Sequence, residues 1–98
     1  MPPSQAAVRQ HVRELHILSH PVLWPTWPFL PVIRRQVEQV ELGLLFDALA
    51  VCHLPGYRCT VFRANLFALP RRLEDFLSLP REVFDTFEEL VAAGWHID

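Results

Sequence analysis

Apolar positions at the start of the chain recur at helical spacing. Val8, Val12 and Leu15 fall on one face, while Arg9, Arg13 and Glu14 face elsewhere. This pattern predicts a helix over residues 4–18, with Ser4 as its cap. His20-Pro21 ends it, because the residue before a proline resists the helical backbone.

The periodicity then stops. In His20-Pro21-Val22-Leu23-Trp24-Pro25-Thr26-Trp27-Pro28-Phe29-Leu30-Pro31, four prolines alternate with large apolar groups. Proline excludes a helix here and cannot donate to a strand ladder, so an extended or polyproline-like backbone is expected. Two tryptophans and a phenylalanine are too apolar for a free loop. The segment is expected to lie on the body of the protein as a lid over the core.

Beyond it the pattern turns to strands. Val32 to Arg35 can open one. The run Val40 to Ala50 fits a strand, although Val37, Val40, Leu44, Ala48 and Val51 also share a helical face. Strand is the preferred reading, since Gly43 would cost a helix about 1 kcal/mol. Leu54-Pro55-Gly56-Tyr57 reads as a turn. Residues 58–67 then alternate, with Phe62 and Leu66 facing the core and Arg63 and Asn65 facing out.

The last third is punctuated by Pro70 and Pro80 around a short helix or turn at Leu73–Leu77. Arg81 to Phe84 can form a short extended piece. Thr86 and Glu89 have the spacing of a capping box for a helix through Ala93, and Gly94 suits its C-terminal end. Trp95 to Asp98 leaves room for a brief terminal strand. The expected fold is α+β: an N-terminal helix, a Pro/Trp-rich extended lid, an antiparallel sheet of about three strands and a short capped C-terminal helix.

Composition narrows the class. The 98 residues suffice for one domain spanning 1–98 and not for two. Apolar residues make up 51% and charged residues 20%, which argues against disorder. The formal charge is −2, so no global field selects a partner. Its distribution is uneven. Residues 1–72 hold eight arginines against four acids, and residues 73–98 hold one arginine against seven acids, so the two ends can attract within a chain or between copies. Every basic side chain other than histidine is arginine. The N-terminus lacks the basic start and apolar run of a signal peptide, and no apolar stretch is long enough to span a membrane, so a cytoplasmic location away from membranes is expected.

Candidate chemistry is sparse. His16 and His20 sit four apart, with His20 at the end of the predicted helix before Pro21, and Cys52, His53 and Cys59 gather near one turn, a ligand set that zinc could use. The seven-residue spacing of the cysteines does not match a finger. Two cysteines in a core-rich chain also do not form a disulfide framework. Cys52 beside His53 would point to opposite sides of a strand, which does not suit a nucleophile and its base. No glycine-rich phosphate loop or nucleophile elbow is present. A thiol- or zinc-dependent enzyme is therefore a minor alternative, and no cofactor is expected.

Arg34, Arg35, Arg58 and Arg63 could converge on nucleic acid if their strands pair, but the acidic C-terminal third opposes this. The leading expectation is a non-enzymatic interaction module that self-associates or docks on another protein. Trp24, Pro25, Trp27, Pro28 and Phe29 are the candidate contact residues, and Pro25 to Pro28 and Pro28 to Pro31 both have the PxxP spacing.

Overall fold

The computed structural model describes residues 4–98. Met1, Pro2 and Pro3, on which part of the targeting reading rests, lie outside them. Helix α1 spans Gln5–Ser19, and the Ser4 hydroxyl accepts from the Ala7 amide at 3.1 Å. A 3₁₀ turn at Pro21–Leu23 follows. Strands β1 (Phe29–Arg35) and β2 (Val40–Phe46) form a hairpin that leads into the short helix α2 (Ala48–Cys52). Then come β3 (Thr60–Phe62), helix α3 (Leu73–Leu77), β4 (Arg81–Val83), helix α4 (Phe87–Ala92) and β5 (Trp95–Ile97).

The fold is α+β, with one antiparallel sheet ordered β4-β3-β2-β1-β5. The sheet has five strands where about three were expected. The two additions, β4 and β5, are three residues long, and they pair with β3 and β1 at the sheet edges. They lie where a short extended piece at Arg81 to Phe84 and a brief terminal strand at Trp95 to Asp98 were expected, but segments this short carry too little alternation to assign them to the sheet.

Both faces of the sheet are covered. On one, Leu30, Val32, Leu45, Val61 and Trp95 pack with Leu18 of α1 and with Leu90 and Val91 of α4. On the other, Leu44, Phe46 and Phe62 pack with Ala48 of α2 and Phe76 of α3. Phe62 is core, and Arg63 and Asn65 are exposed, as the alternation predicts; the difference is that Val61 is buried too, on the opposite face. Thr60, Val61 and Phe62 are all buried, and β3 ends at Phe62, so the alternation through residue 67 does not continue as a strand. Leu66–Ala68 is instead a 3₁₀ turn, begun by the Asn65 carboxamide accepting from the Phe67 amide.

The run from Val40 divides. It is strand to Phe46 and helix from Ala48, so each reading holds for part of it. The lid also differs from expectation. Its last three residues, Phe29, Leu30 and Pro31, belong to β1, and Pro31 lies opposite Leu44. Proline is tolerated there because its carbonyl, and with it the position its missing N–H would take, faces the β5 side. The Pro31 carbonyl accepts from the Asp98 amide at 3.1 Å, past the last β1–β5 register pair at Val32 and Ile97.

At α4 the Thr86 hydroxyl accepts from the Glu89 amide at 3.1 Å, as its spacing predicts. The Glu89 carboxylate reaches one residue further back than a standard capping box, to the Asp85 amide. Among the described residues no helix is long and apolar enough to cross a membrane.

Candidate functional site

The Pro/Trp segment is pinned at three points. Trp24 is 5% exposed, and its indole N–H donates to the Ile17 carbonyl of α1 at 2.8 Å. Phe29 stacks on Phe46 with ring centroids 5.1 Å apart and meets Phe76 edge-on at 5.4 Å. Between them, Asp47 holds the segment twice. Its amide donates to the Pro28 carbonyl, and its carboxylate accepts from the Trp27 indole at 2.9 Å. The Trp27–Pro28 peptide is cis. Trp24 and Phe29 thus face inward. Trp27 remains 51% exposed, Pro25 is exposed and Pro28 is half-buried.

An open cleft of about 540 Å³ is lined in part by Asp47, the residue that holds Trp27. Ser19, His20, Pro21 and Val22 are among its lining residues, as are Asp47, Leu49, Ala50 and Arg58. The 3₁₀ turn after α1 presents Val22, and α2 presents Leu49, at 85% and 63% exposure. Leu23 near the same turn is also exposed. Sequence reading missed Val22 and Leu49. The usable signal was proline-directed turning at His20-Pro21, which leaves Val22 no core to enter. Leu49 was hidden by reading its segment as strand.

The four arginines of the nucleic-acid reading do not converge on a free basic surface. Arg34 donates to Glu41 at 2.8 and 3.3 Å and to Glu82 at 3.2 Å. Arg63 pairs with Glu41, and its second guanidinium nitrogen lies 3.8 Å from Glu82. Two arginines and two glutamates neutralise one another, and both guanidinium groups lie over the Trp95 ring, at 4.5 and 5.6 Å. The Arg34 hydrogen bond holds the Glu41 carboxyl below its ordinary value, and the bond to Glu41 raises Arg34 in turn. Arg35 is exposed at the end of β1, and Arg58 stacks over Phe87 at 5.4 Å. Phosphate binding needs clustered, unpaired cations, and this arrangement lacks them.

The metal and thiol candidates are likewise dispersed. The His16 and His20 rings do meet, at 4.3 Å, on the exposed side of α1. Cys52 and His53 sit on no strand. Cys52 is in the last turn of α2, where its thiol donates to the Ala48 carbonyl at 3.2 Å. His53 is the left-handed C-cap of that helix, with φ 58°. Cys59 is half-buried, and burial pushes its thiol pKa up. Both cysteines are free. Among the described residues no group of three or more His, Cys, Asp or Glu is placed to hold a metal ion. No protein-family model matches this chain, and no curated protein or solved structure is significantly similar to it.

Proposed function

We propose that this chain is a small non-enzymatic protein-interaction module that binds an apolar segment of another protein in the cleft beside Trp27. The observation that carries this reading is the exposure of Val22 and Leu49 on one cleft whose lining residue Asp47 also holds the exposed Trp27. Pockets that enclose small molecules bury most of the ligand's surface. A cleft whose apolar walls stand this far into water suits side chains offered by a partner surface. Apolar groups exposed together carry a hydration cost that a docked partner removes. Trp27 has the size and the anchored orientation of an interface hot spot, with its N–H already satisfied by Asp47.

Selection from a random peptide library displayed on phage tests the proposal. Enriched peptides are expected to carry a large apolar anchor, to alter Trp27 fluorescence, and to lose at least about tenfold in affinity to Leu49→Asp. Leu49 is exposed, so that variant keeps the fold. Failure to enrich any peptide, or binding indifferent to Leu49→Asp, overturns the reading.

A further inference from the structure

The most projecting element is the first half of α1. Every described residue from Ser4 to Arg13 is exposed, and the helix first ties to the body at Glu14. There the carboxylate accepts from the Ile97 amide at 3.0 Å and lies 2.9 Å from His96 Nδ1. Nine residues at 1.5 Å rise carry the helix about 13 Å beyond that tie. Its apolar stripe does not stop where contact stops. Leu15 packs against the core, but Val12 and Val8 continue the same face at 59% and 46% exposure.

Residues 4–13 carry Arg9, Arg13 and His11 and no acid. Among the described residues, neither arginine has a carboxylate within salt-bridge distance.

The same chain holds a surface that fits this arm. Where α1 meets the start of α4, a hollow of about 270 Å³ is lined by Leu15, Ser19, Thr86, Phe87 and Glu88. Its floor is apolar, and Glu88 on its wall belongs to an acidic run that also holds Asp85 and Glu89. Among the described residues, none of these three carboxylates pairs with an arginine. An arm cannot reach its own hollow. Val8 lies seven residues, about 10 Å of straight helix, from Leu15 on the hollow's wall.

We infer that two copies of this chain pair through α1, antiparallel about a twofold axis, with Val8 of each arm seated in the Leu15–Phe87 hollow of the other. The arrangement is isologous: arm meets hollow and hollow meets arm, so it closes at two copies. The antiparallel course brings the arginine-bearing end of one α1 beside the Glu88 rim of its partner, and it covers both stripes at once. Charge and apolar pattern thus agree on one occupant. This surface meets the Trp27 cleft at Ser19 and through Arg58, which lines the cleft and stacks over Phe87, and its pairing is argued from residues of α1 and α4 and not from what the cleft binds.

Sedimentation velocity over a wide concentration range tests the pairing. A reversible dimer is expected. Val8→Asp and Val12→Asp, both at exposed positions, should yield a monomer with unchanged circular dichroism and a melting temperature that no longer rises with protein concentration. Arg9→Glu should weaken the dimer about tenfold, because the charge contact occurs twice. Combining it with Glu88→Arg should restore the affinity. A wild-type protein that stays monomeric, a dimer that survives Val8→Asp, or a charge exchange that fails to restore pairing would each overturn the inference. A monomer that still binds the selected peptides would refute the dimer alone.

Discussion

The indole N–H of Trp95 donates to the carboxylate of Glu82 at 2.8 Å, joining the two edge strands of a five-stranded sheet. In a flat sheet, four interstrand steps of about 4.8 Å would hold β5 and β4 roughly 19 Å apart, too far for these two side chains to bridge. The sheet is therefore strongly curled, and Trp95 lies across its concave face. Gly43 makes room for the ring. A Cβ there would overlap Val61 Cγ1 and stand 3.2 Å from Trp95 Cζ3.

Gly43→Ala is accordingly expected to cost about 1–3 kcal/mol through overpacking. Val61→Ala added to it should recover part of that loss, although alone it leaves a void. Trp95→Phe retains aromatic bulk but removes the donor to Glu82, and should cost about 1–2 kcal/mol. Urea denaturation of the four variants checks the set. Additive losses for the Gly43 and Val61 pair would refute the close approach.

Arg34, Glu41, Arg63 and Glu82 make stability depend on pH in a definite direction. The Glu41 carboxyl is held below its ordinary value of 4.5 by Arg34. A carboxyl depressed in the folded state binds its proton more readily when unfolded. Its contribution is therefore complete above the unfolded pKa and disappears as pH falls through the folded one. Thermal melts from pH 7 to pH 3 should show the wild type losing more melting temperature below about pH 4.5 than Glu41→Gln does. Parallel curves for the two proteins would refute the coupling.

Helix α1 and the capped α4 were legible because each shows its own periodicity or cap over several residues, whereas the hairpin strands were legible in part, β1 from Val32 and β2 within the longer run Val40 to Ala50. Three features needed the folded chain. Pro31 reads as a strand breaker, yet it sits inside β1 because its nitrogen faces the place where pairing with β5 has ended. Val61 and Phe62 are adjacent and both buried, since helices cover both faces of the sheet, so period-two reasoning assigns one of them wrongly. Arg63 looks like a solvent-facing strand residue, but its partners Glu41 and Glu82 are 22 and 19 positions away. At the candidate site, Trp27 was visible as a tryptophan in an odd segment. Its difference from Trp24 was not, because it rests on Asp47 and the Ile17 carbonyl, two distant acceptors.

That difference between the tryptophans is measurable. Trp24→Ala removes a buried ring and should cost about 3–5 kcal/mol. Trp27→Ala removes a half-exposed ring and one hydrogen bond, and should cost about 1 kcal/mol. Iodide should quench the fluorescence of Trp27 and spare that of Trp24 and Trp95, which single-tryptophan variants can resolve. Equal destabilisation by the two alanine variants would contradict the division of the segment into an anchor and an exposed contact.

The thiols should behave as packing groups. Burial raises the Cys59 pKa, which lowers its thiolate fraction at neutral pH, and the Cys52 thiol is committed to the Ala48 carbonyl. Ellman's reagent should label Cys52→Ser and Cys59→Ser variants far more slowly when folded than in urea. Rapid labelling of either native protein would reopen the thiol-enzyme reading.

His53 offers the sharpest separation of a structural from a chemical role. It closes α2 in the left-handed conformation, at φ 58°, with its amide donating to the Leu49 carbonyl at 3.1 Å. That backbone costs a residue with a Cβ about 1–2 kcal/mol, whereas glycine adopts it freely but gains freedom when unfolded. His53→Gly should therefore raise stability by about 0.5–1 kcal/mol, and His53→Val should lower it by about 1–2 kcal/mol because branching at Cβ worsens the same clash. Differential scanning calorimetry distinguishes the two signs. A glycine variant less stable than the wild type would mean that the imidazole makes a contact of its own, and the cap would no longer account for this residue.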